Sequence, residues 1–190
     1  MKGWEDLARE RFLTTARNYT LLAEQSPLIV AAALACCDRL RKGGKIIFCG
    51  NGGSAADCQH LAAELVGRFI LERRPLPALA LTTDSSILTS ISNDYGFAEI
   101  FERQVKALGR ADDVLIGLTT SGRSTNVIRA LNCARAMGLL TIGLFGAKPT
   151  DSALVCDHAI HVPAEEAARV QEMHIGVGHL FCEIIKRELR

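Results

Sequence analysis

The sequence KIIFCGNGGSAADCQHLAAELVGRF, residues 45–69, predicts an apolar strand, a glycine turn and a helix that begins with Ser54 as its capping residue. Gly50, Gly52 and Gly53 carry no Cβ atom that would keep a ligand away from the backbone. The helix behind them presents unpaired N–H groups and a partial positive charge to the same turn. The turn is therefore predicted to hold an anionic group.

The predicted helix carries a polar stripe, because Asp57, His60, Glu64 and Arg68 recur at three- and four-residue spacing. The histidine favours a catalytic face over an ordinary solvent-facing one. An imidazole and a carboxylate one turn apart can bind a metal, or the imidazole can orient a general base. The same spacing is also common in simple surface pairs, so the stripe alone leaves both interpretations open.

The composition indicates a single domain that spans residues 1–190, because 48% hydrophobic residues suffice for one core. We expect a helical segment at residues 1–42, followed by a sheet and helices at residues 43–190. The net charge of +1 argues against nucleic acid or a membrane as the main partner, and any bound anion is predicted to be small. Seven cysteines without a C-x-x-C pair indicate reduced core thiols. With no signal peptide pattern and no membrane-length apolar run, the expected location is the cytoplasm.

Periodicity predicts helices over residues 4–24 and 27–41 before the first strand. The second helix is apolar nearly all round, which makes it a candidate subunit interface, with burial in the chain's own core as the alternative. Apolar runs that alternate with helical patterns predict five parallel strands, at residues 46–49, 78–81, 114–118, 139–144 and 159–162.

We therefore predict a three-layer αβα sandwich, doubly wound, with strand order 2-1-3-4-5. In that order the ligand crevice opens between strands 1 and 3, so the loops 50–54 and 119–126 should meet there. The second loop, TTSGRSTN, offers five hydroxyl groups around Gly122 at a helix start, which suits a phosphate. Alternatively, Ser124 or Thr125 is only a helix cap and the rest an ordinary turn.

Two further segments carry polar residues. The residues SNDYG at 92–96 predict a turn before a helix over 97–108, and Asn93 and Asp94 can there hydrogen-bond sugar hydroxyls or simply form the turn. The final stretch, residues 169–190, is predicted to be helical, with His174 structural or on the surface.

A dinucleotide site is the competing interpretation of the glycine turn. GNGGSA fits the loose G-x-G-x-x-A pattern, with Asp84 as a ribose partner. Such a helix normally packs closely on the sheet with small and apolar residues, which leaves the polar stripe unexplained. A P-loop is excluded because its lysine is absent.

Three motifs, CGNGGSAADCQHLAAEL, TTSGRSTN and RVQEMHIGVGH, resemble the SIS (phosphosugar isomerase) domain of the sedoheptulose 7-phosphate isomerase family. The resemblance covers nearly the whole chain, including the paired N-terminal helices. It implies a SIS-type fold and conversion of D-sedoheptulose 7-phosphate into D-glycero-D-manno-heptose 7-phosphate. That reaction begins nucleotide-activated heptose synthesis for bacterial lipopolysaccharide.

The resemblance also implies a homotetramer with active sites at subunit interfaces, and a catalytic pair, Glu64 and His179. The residues expected to contact the phosphosugar are Asn51, Gly52, Gly53, Glu64, Asn93, Asp94, Thr119, Thr120, Ser121, Ser124 and Gln171. The residues expected to bind one zinc ion per subunit are His60, Glu64, Gln171 and His179. The chain departs from the family pattern at Thr119 and Arg123, in a loop that more typically reads STSGNS, and at Ala168.

The alternative function belongs to another class: a DiaA-like SIS protein without catalysis that binds the replication initiator DnaA. The carboxylate of Glu64 and the imidazole of His179 favour the enzyme, because a binding role leaves both unexplained. A regulatory SIS protein is weakened by the lack of a DNA-binding module.

An enediol route would use Glu64 as the base between C1 and C2 and His179 for the oxygens, or the two in exchanged roles. Zinc would polarise the carbonyl or hold the site together. Gln171 and His179 lie about 12 Å apart along a straight helix, near the limit for sharing one zinc. Either the helix is irregular near Gln171, or neighbouring chains complete the site; we expect the second, with the polar stripe meeting the terminal helix of another subunit.

Overall fold

The computed structural model describes residues 3–68 and 74–189, so Phe69 of the opening stretch lies outside the described residues. The elements, in chain order, are α1 (Trp4–Ala23), α2 (Ser26–Arg41), β1 (Ile46–Gly50), α3 (Gly53–Val66), β2 (Ala78–Ala80), α4 (Ser85–Tyr95), α5 (Ile100–Leu108), β3 (Val114–Thr119), α6 (Thr125–Ala136), β4 (Leu140–Phe145), β5 (His158–His161) and α7 (Ala167–Glu188). Short 3-10 turns lie at Phe97–Glu99 and Asp151–Val155.

The five strands form one parallel sheet in the order β2-β1-β3-β4-β5, which confirms the predicted topology. Every residue of β1, β3 and β4 is buried, because helices cover both faces of the sheet. The register pairs Gly50 with Leu118, and Thr119 with Phe145. The carboxyl ends of β1 and β3 are therefore neighbours, and the loops that follow them leave the sheet side by side.

Two apolar clusters fill the spaces on either side of the sheet, as expected of a three-layer sandwich. One joins α2, α3 and α7 to the sheet through residues such as Cys36, Leu61 and Phe181. The other joins α5 and α6 to the opposite face through residues such as Phe101 and Leu131. The helices that carry the polar stripe and the terminal histidines therefore lie in the same layer.

The structure confirms that α2 packs into the chain's own core, and its role as a subunit interface stays a prediction. One face of α2 is buried in the chain's own core, with Ile29 and Cys36 among its residues. α1 carries large exposed apolar side chains, with Trp4, Phe12 and Leu13 86%, 75% and 60% exposed. No single helix in the described ranges is long and apolar enough to cross a membrane, and α1 and α2 meet that test only as a pair bent by 70°.

Two local predictions were wrong. Gly52, with φ 57°, takes the cap position of α3, and Ser54 lies buried inside the first turn, because a glycine adopts this conformation more easily than any other residue. The predicted turn at 92–96 is also helical: α4 continues to Tyr95, and the chain turns only at Gly96, with φ 91°.

Asp84 caps α4, since its carboxylate accepts a hydrogen bond from the backbone N–H of Ile87 at 2.9 Å. Asp84 therefore acts as an ordinary helix cap. The dinucleotide interpretation, which used Asp84 as a ribose partner, loses that support.

Candidate active site

The two predicted loops meet at the carboxyl edge of the sheet through a pair of amides. Asn51 and Asn126 each donate a hydrogen bond from Nδ2 to the other's Oδ1, both at 2.9 Å. Asn126 is only 3% exposed, and its Oδ1 also accepts the backbone N–H of Val127 at 2.9 Å. The sequence assigned no role to Asn126; its place at the end of the hydroxyl-rich loop was the one signal available. Asn126 is the residue that connects the glycine turn to that loop.

The hydroxyl-rich loop is tied together by its own side chains. Thr119 Oγ1 and Ser124 Oγ lie 2.9 Å apart, and Ser121 Oγ accepts the backbone N–H of Arg123 at 3.2 Å. Ser124 stands at the cap position of α6 but makes no side-chain cap bond. Ser124 therefore occupies the cap position that the alternative interpretation gave it, and phosphate binding by this loop stays a prediction. The N–H of Val127 in the first turn of α6 is already taken by Asn126, and unpaired N–H groups at a helix start are suited to an anion.

A second cluster lies where α3 and α7 pack side by side. The Nε2 atoms of His60 and His179 are 2.8 Å apart, and the rings meet edge to face with centroids 5.1 Å apart. Glu64 Oε1 is 3.6 Å from the same Nε2 of His60. The side chains of His60 and Glu64 are 48% and 25% exposed, so solvent and a ligand can reach them. One chain thus supplies a carboxylate and two imidazoles within contact of each other.

Glycines set how closely the two helices approach. A Cβ at Gly178 would come within 2.4 Å of the Leu61 side chain, so any larger residue there would force Leu61 or the helix to shift. A Cβ at Gly53 would come within 2.6 Å of Gln171 Nε2, which places the Gln171 side chain over the start of α3. α7 is a continuous helix from Ala167 to Glu188, which argues against the alternative that the helix is irregular near Gln171.

His60 contacts α7 of its own chain, and the contact of the polar stripe with the terminal helix of another subunit stays a prediction. Gln171 lies about two helical turns from His179 on the same axis, roughly 12 Å. The structure therefore brings His60, Glu64 and His179 together and leaves Gln171 beside the glycine turn.

The donor types at this cluster suit zinc, because imidazole nitrogen and carboxylate oxygen are its usual ligands along with thiolate. The two Nε2 atoms are 2.8 Å apart, which is a hydrogen-bond distance, and a carboxylate oxygen of Glu64 lies nearby. As placed, however, no three His, Cys, Asp or Glu side chains in the described part of the chain form a metal-binding group. The chemistry of the donors fits a zinc ion, and zinc binding stays a prediction.

The other stripe residues flank this cluster. Asp57 lies one turn before His60, and burial raises the pKa of its carboxyl while the neighbouring His60 lowers it. Its Oδ2 is buried and has no hydrogen-bond partner among the described residues. Arg68 lies beyond the end of α3 at Val66.

Asn93 and Asp94 lie on the last turn of α4, exposed, with Asn93 Nδ2 donating to Asp94 Oδ1 at 2.8 Å. Their contact with a sugar stays a prediction. His174, predicted to be structural or on the surface, is fully buried in α7, and burial lowers its pKa to about 4.

Comparison with known proteins agrees with this architecture. A sequence profile of the SIS domain matches residues 13–146, well over half of the chain. The chain is 58% identical to a phosphoheptose isomerase of Maridesulfovibrio salexigens over 162 residues, covering 85% of this chain and 79% of the relative. It is 51% identical to the enzyme of that name from Rhodospirillum rubrum over 185 residues, covering 97% and 98%.

Among solved structures, phosphoheptose isomerase GmhA from Neisseria gonorrhoeae superposes with a TM-score of 0.92 at 41% identity, covering 97% of this chain and 100% of the other. These similarities support the enzyme and not the DiaA-like alternative. The chain therefore belongs to the SIS-domain family and, within it, to the phosphoheptose isomerases.

Proposed function

We propose that the protein converts D-sedoheptulose 7-phosphate into D-glycero-D-manno-heptose 7-phosphate in the cytoplasm, as the first step toward nucleotide-activated heptose for lipopolysaccharide. The observation that carries the proposal is the cluster that His60 and Glu64, on the helix that begins at the glycine turn, form with His179 of α7. Isomerisation between a ketose and an aldose needs groups that accept and return protons, and a carboxylate with imidazoles supplies them.

The reaction moves a carbonyl from C2 to C1. Glu64 would take the proton from C1 of the ketose and return it to C2, through an enediol. His179 would serve the two oxygens, giving a proton to one and accepting one from the other, or the two residues exchange these roles. His60 lies between them, so that one Nε2 of the histidine pair must donate where the other accepts. In this position His60 would hold His179 in the tautomer that the proton transfer requires.

The phosphate would be held away from the reacting carbons. Thr119, Thr120, Ser121 and Ser124 offer hydroxyl groups at the start of α6, and the first N–H groups of that helix favour negative charge. Binding energy from this remote group can then orient the carbons at the acid–base cluster. Asn51 and the glycine turn would contact the sugar.

Zinc is part of the proposal, at one ion per subunit. His60, Glu64 and His179 would hold it together with Gln171, and when bound it would supply a positive charge that polarises a carbonyl oxygen. Metal analysis of protein purified without a histidine tag should find zinc, and chelation should lower activity. Full activity of exhaustively chelated, metal-free protein would leave the four residues as a hydrogen-bonded acid–base cluster.

We further propose a homotetramer whose active sites lie at subunit interfaces. Gln171 is about 12 Å along α7 from His179, so a neighbouring chain would bring its own Gln171 to complete the set. The exposed Trp4, Phe12 and Leu13 on α1 offer apolar surface for association.

The test of function is incubation of the purified protein with sedoheptulose 7-phosphate and detection of an aldose phosphate. In heavy water, deuterium should appear at C2 of the heptose. Glu64→Gln keeps the shape of the side chain and removes the base, so turnover should fall at least about a hundredfold with the fold retained. The matched control is Glu183→Gln, a partly exposed carboxylate on α7 that pairs with Arg187. Full activity of Glu64→Gln, with no deuterium in the product at long times, would refute the assignment.

A further inference from the structure

A pocket of about 170 Å³ lies between the loop after β3 and the loop after β4. It opens beside the hydroxyl-rich loop, on the side that faces β4. Its lining consists of two hydroxyl residues, two cations, one carboxylate and an alanine: Thr120, Ser121, Arg123, Lys148, Glu165 and Ala147. No role has so far been assigned to the charged members of this lining.

The walls of the pocket are held by close backbone packing. Gly122, with φ 65°, lies against Thr150, where a Cβ would come within 2.5 Å of the Oγ1 atom. A Cβ at Gly146 would come within 2.5 Å of the Thr120 carbonyl oxygen. Ala147 donates its N–H to the Ala164 carbonyl at 2.8 Å. The two loops are therefore interlocked, and the shape of the pocket belongs to the fold.

The charged residues on the rim of the pocket differ in whether they form ion pairs. Lys148 Nζ forms an ion pair with Glu165 Oε2 at 3.1 Å, and both side chains are 64% exposed. Arg123 is also exposed, and its guanidinium has no ion-pair partner among the residues that the structure describes. An arginine that is not engaged by a carboxylate and lies next to two hydroxyl residues is suited to a phosphate group, which it can bind through two hydrogen bonds.

We propose that this pocket receives one side of the substrate's phosphate, that Arg123 sets the affinity for it, and that Glu165 restrains Lys148 from doing the same. The inference rests on the proposed function for the identity of the ligand. In this proposal, the charged guanidinium of Arg123 contributes to phosphate recognition in addition to the hydroxyl and backbone N–H groups of the loop. The two charged positions should act in opposite directions, because removing Arg123 takes away a free cation whereas removing the charge of Glu165 releases one.

The test uses inorganic phosphate as the probe and the full-length protein at low ionic strength, where surface charges are least screened. Calorimetry measures its Kd in the wild type, Arg123→Gln, Glu165→Gln and the control Arg187→Gln, which makes the same change on the exposed end of α7. Arg123→Gln should raise the Kd about three- to tenfold, Glu165→Gln should lower it about two- to fivefold, and the control should match the wild type. All three positions are exposed, so the fold should persist.

Enzyme kinetics add a second readout. Phosphate should inhibit competitively against sedoheptulose 7-phosphate, and Arg123→Gln should raise KM with little change in kcat, since it removes binding common to substrate and transition state. Unchanged phosphate affinity in Arg123→Gln, or weaker affinity in Glu165→Gln, would overturn the proposal. If phosphate binding depends on Arg123 but phosphate does not compete with the sugar phosphate, the pocket does not receive the phosphate of the substrate. Calorimetry needs no turnover, so failure of the isomerase proposal would be seen separately.

Discussion

At the scale of single residues, Asn126 is the position whose importance is clearest from its contacts. It is buried, its Oδ1 accepts hydrogen bonds from Asn51 and from the N–H of Val127, and its Nδ2 donates to Asn51. Truncation leaves Asn51 without its partner, and removing one member of such a pair costs about 1–3 kcal/mol. We expect Asn126→Ala to lower stability by that amount and to raise KM, because Asn51 loses its fixed orientation.

A double-mutant cycle with Asn51→Ala tests this pairing. The two amides act as a unit, so the double variant should cost less than the sum of the single ones, by about 1 kcal/mol in urea unfolding. Strict additivity would show that the two loops are not coupled through this pair.

His174 gives a pH-dependence whose sign is fixed by burial. Its pKa is lowered from 6.5 to about 4, so between these values the unfolded chain binds a proton that the folded chain excludes. The stabilisation is complete above pH 6.5 and is lost as the pH falls toward 4. This residue alone should lower the free energy of unfolding by about 2 kcal/mol between pH 7 and pH 5.

Urea unfolding of the wild type and of His174→Leu at both pH values measures the effect. The variant has no group to protonate there, so its loss of stability between pH 7 and pH 5 should be smaller by about the same 2 kcal/mol. Equal losses in the two proteins would mean that His174 is protonated without penalty.

At the scale of elements, the approach of α7 to α3 determines the acid–base cluster. Gly178 is the contact point with Leu61, and the next residue, His179, meets His60. Gly178→Ala should gain up to about 1 kcal/mol in helix propensity but lose about 1–3 kcal/mol to overlap with Leu61. Because the overlap also moves His179, we expect kcat to fall about tenfold or more.

The companion variant Gly178→Ala with Leu61→Ala restores room between the helices. It should recover part of the lost turnover even though Leu61→Ala alone weakens the core. Thermal unfolding and kcat report the two effects separately. Wild-type kcat in Gly178→Ala would show that the spacing of the helices does not control the site.

At the scale of the whole molecule, the structure changes the expected outcome of subunit mixing. Glu64 and His179 both lie against His60 of the same chain, so an oligomer of inactive Glu64→Gln and inactive His179→Ala chains should contain no site with both wild-type residues. Activity should therefore not return. Mixing Glu64→Gln with Gln171→Ala should behave differently if Gln171 comes from a neighbouring chain, with partial recovery in mixed oligomers confirmed by native mass spectrometry. Recovery in the first mixture would refute the one-chain pair.

Local patterns in the sequence were sufficient for the sheet, the glycine turn and the hydroxyl-rich loop. Continuous apolar runs are long enough to identify β1, β3 and β4, and glycines mark Gly50 to Gly53 as a turn without knowledge of any partner. The polar stripe of α3 was predictable for the same reason, since its spacing is a property of one helix.

Contacts between segments distant in sequence were decided only by the tertiary structure. The Asn51–Asn126 pair, the meeting of His60 with His179, and the pocket at Arg123 each join residues whose separation in space depends on how two loops or helices pack. Sequence periodicity states which face of a helix is polar, but not which helix that face will meet. For α3 the partner is the α7 of the same chain, because a glycine at 178 allows the two helices to touch.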